Sequence, residues 1–535
     1  MYLEPNENHM LVAYDDETGE ELCELCEEVQ AEERINLLGK EWATTVTIWA
    51  NGEPVTPEKP FKGTVNSQII PYLRDWGFHM LDVPEYNEAL LCYLLNNVVH
   101  KDRVYVHDQL GFHEVDGNTV FLADEMIGHP TKISHYAYPK VTSPRNTLES
   151  WIAFIQREII GHTNMELALA IGLAALVAHL LQEAKLFSEV LIFCLTGQSS
   201  TGKTAALRLM ASVFGSPEER QGLIKSFNGT DTAIFTMLEG HGFPSIVDES
   251  TASKIKDFAP FIYNVSKGAD KLRCNGEGNL NEQRTFSGAV VFSGEISFLQ
   301  RSTPNLGIYA RVVEFVDLSW TDDADHARRI SQGVRTNYGT AIGPYAEELL
   351  KFQKHPDILE EAFNQELQKF RDKIGAVSGV EERWLNSYAV VTLSARLFKR
   401  TFGLEMNVSG IRDLLVENHR KSIKKSDLAQ ELYDAIMDEV ALHGQYFPKT
   451  GGKNKNSLIP TNLWGERTTL GNKDVLWIVG RKFQEFAEDH YFENYTPLLH
   501  ELHKQGLLRR YSDGGFTTKH RLGNSEPRCY CLYKV

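Results

Sequence analysis

The sequence predicts an α/β protein: a mostly parallel central sheet, preceded by a mixed α+β region and followed by a helical region that ends in a winged helix. Three observations predict this fold class. Apolar strands alternate with helices from Val190 to about Trp320, which is typical of a parallel sheet covered by helices. A strand leads into a glycine-rich loop and a helix over Leu195–Leu207. After Val475, two short helices precede a Gly-rich turn and a strand pair.

These patterns divide the chain into an N-terminal α+β region over 1–145, an α/β domain over 146–345, a helical region over 346–446, a linker over 447–474 and a winged-helix-like domain over 475–535. In the first region, Phe112–Leu122 predicts a hairpin that turns at Asp116 and Gly117. The linker is predicted from Phe447–Pro460, a stretch rich in Gly, Asn and Lys without periodicity.

Composition excludes several classes of protein. The net charge of −17 argues against a protein that coats nucleic acid over its whole surface, although a local basic lining stays possible. The most apolar stretch, Leu167–Leu181, carries His179 and is too short to span a membrane, so we expect a buried helix and no membrane partner. The first residues lack the pattern of a secretory signal, which predicts a cytoplasmic protein with reduced cysteines.

Acidic residues are concentrated around Cys23 and Cys26. A single CxxC pair lacks the second pair that a zinc site needs, and Cys529 and Cys531 are distant with a different spacing. We therefore expect an exposed acidic helix here, with metal binding as the alternative.

The glycine-rich loop fits the pattern G-x-x-x-x-G-K-[ST] between a strand and a helix. Backbone N–H groups of such a loop close around phosphate oxygens, its lysine reaches the β and γ phosphates, and its hydroxyl residue ligates Mg²⁺. The sequence thus predicts ATP and Mg²⁺ as cofactors, and the alternative is a turn that only joins strand to helix. The predicted nucleotide-binding residues are Gly197, Ser200, Thr201, Gly202, Lys203 and Thr204.

An apolar strand that ends in two carboxylates, Phe243–Ser250, predicts hydrolysis. Asp248 is suited to hold the Mg²⁺ shell together with Thr204, and Glu249 to polarise the attacking water. We expect the intervening strand-like segment, 223–227, to separate the glycine-rich strand from the acidic one, an order typical of motor-type ATPases. The alternative is a surface pair of carboxylates at a strand end.

Two further polar residues stand at strand ends. Ser293 follows an apolar strand and could orient water beside the γ phosphate. Arg311 precedes another strand, where an arginine can reach the nucleotide of a neighbouring subunit. Arginines that open strands are also common for solvation alone, so both interpretations of Arg311 stay open.

Taken in order, TGQSSTGKT, FNGTDTAIF, IVDES, IYNVSKGADKLR, VVFSGE, GIYARVVEF and NYGTAIGPYAEELL resemble the motifs of a bacterial AAA+ ATPase family of phages and mobile elements. That family includes the self-loading, MCM-like replicative helicases and replication initiators of staphylococcal cassettes and pathogenicity islands. The resemblance covers about 110–350.

The resemblance implies an AAA+ P-loop motor domain over 146–345 that assembles as a homo-hexameric ring, with hydrolysis between subunits. It also implies translocation on single-stranded or forked DNA, and primase or host replication proteins as partners. Carried onto this chain, Ser293 stands at the first sensor and Arg311 becomes the finger. Many AAA+ proteins have Asn at the sensor, so Glu295 is an alternative for that role.

Two segments suit DNA. Ser266–Phe286 is predicted to form a β-hairpin with a Gly-rich centre and local positive charge, or else a solvated loop. The wing of the tail is also basic, although winged helices bind DNA and proteins alike. The predicted DNA-binding residues are Lys267, Lys271, Arg273 and Arg284 in the hairpin, and Lys519 and Arg521 in the wing.

The sequence therefore predicts an ATP-dependent DNA helicase or replication initiator of a mobile genetic element or phage. Two alternatives remain: an AAA+ ATPase that remodels protein partners, and a DNA-binding initiator that uses ATP only as an assembly switch.

Overall fold

The structure is a computed structural model that describes the chain except at residues 40, 51, 58, 220, 228–230, 239, 251–254, 256, 270–282, 300, 303–305, 376–378, 426–427, 450–462, 491–494, 523–524 and 535. Two of the predicted site residues, Lys271 and Arg273 in the centre of the predicted hairpin, lie outside the described residues.

The N-terminal part consists of short strands and a few helices. In chain order these are β1 (Tyr2–Pro5), β2 (Met10–Tyr14), β3 (Glu21–Glu27), β4 (Val29–Asn36), β5 (Trp42–Ala50), β6 (Glu53–Val55), β7 (Phe61–Lys62), α1 (Ile69–Asp75), α2 (Pro84–Asn97), β8 (Val99–His107), β9 (Gly111–Val115), β10 (Asn118–Leu122), β11 (Met126–Ile127), β12 (Ile133–Tyr136) and α3 (Pro139–Thr142).

Strands and helices alternate in the central part, as predicted. The elements are α4 (Leu148–Glu158), α5 (Thr163–Glu183), β13 (Leu191–Thr196), α6 (Lys203–Ser212), β14 (Ile224–Ser226), α7 (Asp231–Met237), β15 (Gly240–His241), β16 (Ser245–Asp248), α8 (Ala259–Ser266), β17 (Phe286–Ser287), β18 (Ala289–Gly294), α9 (Leu306–Tyr309), β19 (Val312–Val316) and α10 (Ala324–Thr336).

The last part is helical and then mixed. It contains α11 (Ile342–Gln353), α12 (Pro356–Ile374), α13 (Gly379–Phe402), α14 (Val408–Lys425), α15 (Leu428–Leu442), β20 (Gly465–Leu470), β21 (Lys473–Val479), α16 (Gly480–Asp489), α17 (Thr496–Lys504), β22 (Thr517–Lys519) and β23 (Arg528–Tyr533).

The central sheet is parallel and has the strand order β14-β16-β18-β13-β19. All its strands therefore end at one edge, where residues 196–204 and 248–249 lie. The expectation that 223–227 separates the glycine-rich strand from the acidic strand is wrong: β14 lies at the outside of the sheet, and β18 is the strand between β13 and β16. Helical crossovers can deliver a parallel strand to either side, so chain order alone does not determine its neighbour.

The N-terminal residues form sheets of their own and also join the central part. The predicted hairpin is confirmed, because β9 and β10 pair antiparallel around Asp116 and Gly117. The sheet they belong to continues through β15 and β17, which come from the 146–345 stretch. A single sheet thus crosses the boundary placed at residue 145.

The expectation of an acidic helix near the N-terminus is wrong. Residues 21–27 form strand β3, which pairs antiparallel with β2. Cys23 is exposed and Cys26 is buried, so the two thiols lie on opposite faces of the strand, and burial raises the pKa of Cys26 to about 12. Cross-strand pairing has overridden the helical preference of the glutamates.

The apolar stretch of helix α5 is buried, as predicted. Every residue from Met165 to Leu181 is buried. Among the described residues it is the helix long and apolar enough to cross a membrane, but 94% of its most apolar window is buried inside the protein. It packs against β13 and β18 of the central sheet, against α6, and against α11, α13 and α14 of the helical region.

The C-terminal sheet has the order β20-β21-β23-β22. Its first strand lies within the stretch assigned to the linker, so the folded tail starts at Gly465 rather than at Val475. Helix α15 packs against α17, and the Tyr433 hydroxyl donates to the Tyr533 carbonyl at 2.8 Å. The tail therefore packs directly against the last helix of the helical region.

A buried carboxylate joins three helices of the helical region. Glu366 on α12 has no exposed side-chain surface and accepts hydrogen bonds from Lys369 at 2.6 Å, Arg396 at 2.8 Å and Arg412 at 2.6 Å. Burial would raise the pKa of Glu366, but these cationic donors outweigh it and lower the pKa to about 2. The cluster holds α12, α13 and α14 together.

We expect Glu366→Gln to lower the free energy of unfolding at pH 7 by about 3 kcal/mol, because it removes the negative charge that three cations share and replaces one acceptor oxygen with a donor amide. A depressed pKa stabilises the fold above the unfolded value and loses that contribution as the pH falls toward 2. The variant should therefore lose less stability than the wild type between about pH 4.5 and pH 2. Urea unfolding across a pH series measures this, with exposed Glu360→Gln on the same helix as control; parallel pH curves for wild type and Glu366→Gln would contradict it.

Candidate functional site

The glycine-rich loop, residues 197–204, has the backbone shape of an anion-binding nest. Gly197, Ser200 and Gly202 have φ of 127°, 71° and 84°, in the left-handed region. Ser200 adopts this region without the freedom of glycine, at a cost on the order of 1 kcal/mol. Gly202 is the N-cap of α6, so the loop ends at a helix N-terminus whose N–H groups have no intrahelical partner.

Lys203 folds back over the loop. Its Nζ donates to the carbonyls of Gly197 at 2.8 Å and Gln198 at 2.6 Å. Burial lowers the pKa of Lys203, and the neighbouring carboxylates Glu295, Asp248 and Asp317 oppose that shift. The ammonium thus stands inside the loop, facing the acidic ends of the neighbouring strands.

The acidic pair lies at the same edge of the sheet. Asp248 Oδ1 accepts a hydrogen bond from the Glu249 N–H at 2.8 Å and another from the Ser293 hydroxyl. Glu249 has φ of 60° and an exposed side chain, so the turn after β16 directs its carboxylate away from the sheet. Ser293 is buried and contacts Asp248 directly, which suits it to position that carboxylate.

Sequence reasoning missed the segment after β19 that braces the loop. Asp317, with φ of 52°, accepts a hydrogen bond from the Gln198 N–H at 3.2 Å, and the Trp320 N–H donates to the Thr201 carbonyl at 2.8 Å. A Cβ on Gly202 would lie 2.6 Å from the Thr321 hydroxyl, so only glycine permits this contact. The available signal was a carboxylate directly after a buried strand, the same signal that identified Asp248.

Glu295 also belongs to this edge. Its Oε1 accepts a hydrogen bond from the Ser199 hydroxyl at 2.5 Å. A pocket at this position is lined by Gln198, Ser199, Glu295 and Asp317. The loop is therefore held from two sides by carboxylates.

Arg311 lies at the amino ends of the strands of the central sheet, opposite the carboxyl ends that carry the glycine-rich loop. Register pairs Ile192 with Val312 and Thr196 with Val316, which puts Arg311 about 13 Å or more from the glycine-rich loop of its own chain. Its guanidinium donates to the Ser266 hydroxyl at 3.0 Å and the Gly307 carbonyl at 2.6 Å.

Other groups also hold Arg311. It forms an ion pair with Glu189 at 3.3 Å, and its guanidinium lies 4.6 Å from the centre of the Tyr263 ring. Its side chain is 16% exposed. Within this chain the guanidinium is therefore held by several partners at the amino ends of the strands.

The base of the predicted hairpin is present. Ala269 and Thr285 form an antiparallel bridge, and Lys267 and Arg284 are exposed beside it. Lys271 and Arg273 lie outside the described residues.

A cavity of about 1550 Å³ opens beside this base, between the N-terminal sheet and the central domain. Among the described residues that line it, Asp108 is the sole carboxylate. Burial lowers the pKa of His113 to about 4, so this imidazole is neutral at pH 7. The lining thus has more basic than acidic side chains; the basic ones are Arg34, which is paired with Glu32, Lys140, Lys225 and Arg284.

The wing of the tail displays its cations on one face. His520 stacks on Trp477 with ring centroids 3.8 Å apart and contacts Glu466 at 2.6 Å. Lys519 and Arg521 flank it and are exposed. His520 is thus packed inward, whereas the two cations beside it face solvent.

The residues at the sheet edge fit a nucleotide with Mg²⁺. The Thr204 hydroxyl and the Asp248 carboxylate are oxygen ligands of the kind that Mg²⁺ prefers, and the nest of N–H groups with Lys203 suits phosphate oxygens. Bound Mg²⁺ would neutralise phosphate charge during transfer to water. Among the described residues, Arg311, Lys267 and Arg284 are not part of this group.

Comparison with known families gives two matches. Residues 13–285 match the family described as Domain of unknown function (DUF927), and residues 427–533 match the Cch helix turn helix domain. The second match begins at α15 and so includes more than the 475–535 stretch. A search among curated proteins finds no significant match.

Among solved structures, the chain is similar to one titled "SCCmec type IV Cch - active helicase". The TM-score is 0.72 at 20% identity, over 99% of this chain and 96% of that one. At this identity the likeness shows a shared fold along the whole chain. A second structure, of the NrS-1 C-terminal region in its apo A form, has a TM-score of 0.23 at 8% identity over 73% of this chain and 91% of that one, and carries no argument.

We expect Lys203→Ala to weaken ATP binding by about tenfold or more, because a charged donor to phosphate is lost. Glu249→Gln should keep ATP bound and lose hydrolysis, because its exposed carboxylate does not hold the loop. Titration with a fluorescent ATP analogue, beside a phosphate-release assay, measures both, with exposed Lys351→Ala as control. Equal loss of binding in both variants would contradict the assigned roles.

Proposed function

This chain belongs to the family described as Domain of unknown function (DUF927). Because that description names no activity, we propose a function from the site itself. We propose that the protein is an ATP-dependent DNA helicase or replication initiator of the AAA+ class. We further propose that it serves a phage or mobile genetic element and acts as a homo-hexameric ring. Its DNA is single-stranded or forked, and primase or host replication proteins are its protein partners.

The observation that carries the ATPase proposal is the meeting of the glycine-rich loop and the acidic pair at one edge of a parallel sheet. Lys203 exchanges its loop carbonyls for phosphate oxygens, which are better acceptors for an ammonium. Asp248, positioned by Ser293, contributes an oxygen ligand for Mg²⁺. Glu249 polarises the attacking water, because its carboxylate is exposed next to that ligand.

The choice of DNA as the partner rests on charge and on the tail. The tail matches a helix-turn-helix family, and its wing exposes Lys519 and Arg521. Lys267 and Arg284 stand at the hairpin base, beside a cavity whose lining is basic. Exposed cations such as Lys267 and Arg284 suit a phosphate backbone that is gripped without sequence preference.

The shared fold with a structure titled as an active helicase supports a helicase over a protein remodeller. The strand order of the central sheet, with β18 between the loop strand and the acidic strand, supports the AAA+ class. Arg311 supports a ring, because it lies about 13 Å or more from the glycine-rich loop of its own chain. The finger role requires a neighbouring subunit to face this edge.

We expect the purified protein to displace a strand from a tailed duplex with ATP and Mg²⁺, and not with a non-hydrolysable analogue. Lys203→Ala and Glu249→Gln should lack this activity, and exposed Lys351→Ala should keep it. A fluorescence-quench displacement assay measures it. ATPase activity without stimulation by single-stranded DNA would favour the remodeller, and ATP-dependent DNA binding without displacement would favour the switch-type initiator.

Arg311→Ala should bind ATP normally and hydrolyse it at least tenfold more slowly, since removal of a finger costs about three orders of magnitude or more in complete systems. Arg383→Ala is the matched control, because Arg383 pairs with the same Glu189 at 3.4 Å. Mixing Arg311→Ala with Glu249→Gln protein should restore part of the activity at interfaces with both residues intact.

If subunits are shown to exchange and the mixture stays inactive, Arg311 is not a finger. If Arg383→Ala is equally impaired, the effect of Arg311 is to hold Glu189, and its role is structural.

A further inference from the structure

A histidine pair and one aspartate form a cluster that the ATPase does not use. His162 precedes α5, Asp322 lies between β19 and α10, and His326 lies in the first turn of α10. His162 Nδ1 lies 2.9 Å from Asp322 Oδ2, and His326 Nδ1 lies 3.8 Å from the same oxygen. One ligand atom from each residue fits within 4.8 Å of the others.

The tautomer of His326 is determined by its partners. The residue is 1% exposed, and its Nε2 lies 2.8 Å from the Glu158 carbonyl oxygen, which can only accept. Nε2 therefore carries the proton, and in the neutral ring Nδ1 has a lone pair. A ring N–H that donates to a backbone carbonyl is the arrangement by which proteins orient metal-binding histidines.

The lone pair of His326 Nδ1 faces a carboxylate oxygen. Among the described residues, the donor to His326 Nδ1 is the Asp322 N–H, at a long 3.4 Å. This lone pair and Asp322 Oδ2, 3.8 Å away, are therefore two donor atoms that one cation could share.

The separations suit a bound ion. Ligands at about 2.0–2.1 Å from a tetrahedral Zn²⁺ are roughly 3.3 Å apart. The separations of 2.9 and 3.8 Å lie on either side of that value, and the separation between the two histidine ligand atoms is within 4.8 Å. The Asp322 side chain is 65% exposed and the His162 side chain 33%, so both can adjust around a buried His326. Two imidazoles and one carboxylate leave a fourth position open to water.

We propose that His162, Asp322 and His326 bind one divalent transition-metal ion of the zinc type. The position of this metal site in the fold indicates a structural role for the ion. Asp322 follows Thr321, which packs on Gly202, and the Asn164 amide on α5 donates to the Ser319 carbonyl at 2.6 Å. The ion fastens the start of α5 and the start of α10 to the segment that braces the glycine-rich loop.

Metal binding is measured on the tag-free full-length protein, stripped with a chelator and kept in saturating Mg²⁺ without nucleotide. Co²⁺ is added and its ligand-field absorption followed, and Zn²⁺ affinity is obtained by competition with a chromophoric chelator. We expect one ion per chain at this site, and a higher melting temperature with Zn²⁺. Asp322→Asn and His162→Gln should each weaken binding by about tenfold or more and abolish the thermal shift.

Asp325→Asn is the matched control, since Asp325 lies on the same turn, is 69% exposed and pairs with Arg328. It should bind Zn²⁺ as the wild type does. Both test variants change exposed or half-exposed side chains, so their folding can be verified by circular dichroism without metal. Absence of Co²⁺ absorption in the wild type, or equal Zn²⁺ affinity in wild type, Asp322→Asn and His162→Gln, would overturn the proposal.

Discussion

The burial of α5 on all its faces is the constraint on which the rest of the central fold depends. A helix that is apolar all round must be covered on every side, and here the central sheet, α6 and the helical region cover it. Gly172 permits the closest of these contacts, because a Cβ there would lie 2.9 Å from Met210 Cβ on α6. Glycine within a helix costs about 1 kcal/mol relative to alanine. The absence of a side chain at Gly172 allows α6, and with it Lys203, to approach the core.

The same helix links distant parts of the chain through its first turn. Glu166 is fully buried, and its carboxylate accepts from the Gly161 N–H and from the Asn407 N–H, both at 2.9 Å. One oxygen thus closes the turn before α5, and the other holds the start of α14. A buried carboxylate is tolerated when its oxygens are satisfied in this way. The helical region is consequently positioned against the sheet by the helix that also positions the glycine-rich loop.

Strain is concentrated at the carboxyl edge of the central sheet. Ser200, Glu249 and Asp317 are non-glycine residues with left-handed backbone, and each directly follows or lies close to a strand end. Such conformations cost on the order of 1–3 kcal/mol each and persist only where the surroundings enforce them. Here the hydrogen bonds of Asp248 with Ser293 and of Asp317 with Gln198 supply that enforcement. The edge is built to hold polar groups in fixed directions rather than to maximise stability.

Sequence by itself determined the elements whose signals are contiguous: the buried α5, the hairpin around Gly117, and the strand, glycine-rich loop and helix that contain Lys203. Periodicity and the backbone freedom of glycine act within a few residues, so they can be read locally. Tertiary structure alone decided what depends on non-local packing. It put β14 outside β16, made a strand of the acidic Glu21–Glu27 segment, and enclosed Arg311 among intrachain partners. These outcomes depend on which surfaces meet after loops close, and no local pattern encodes that choice.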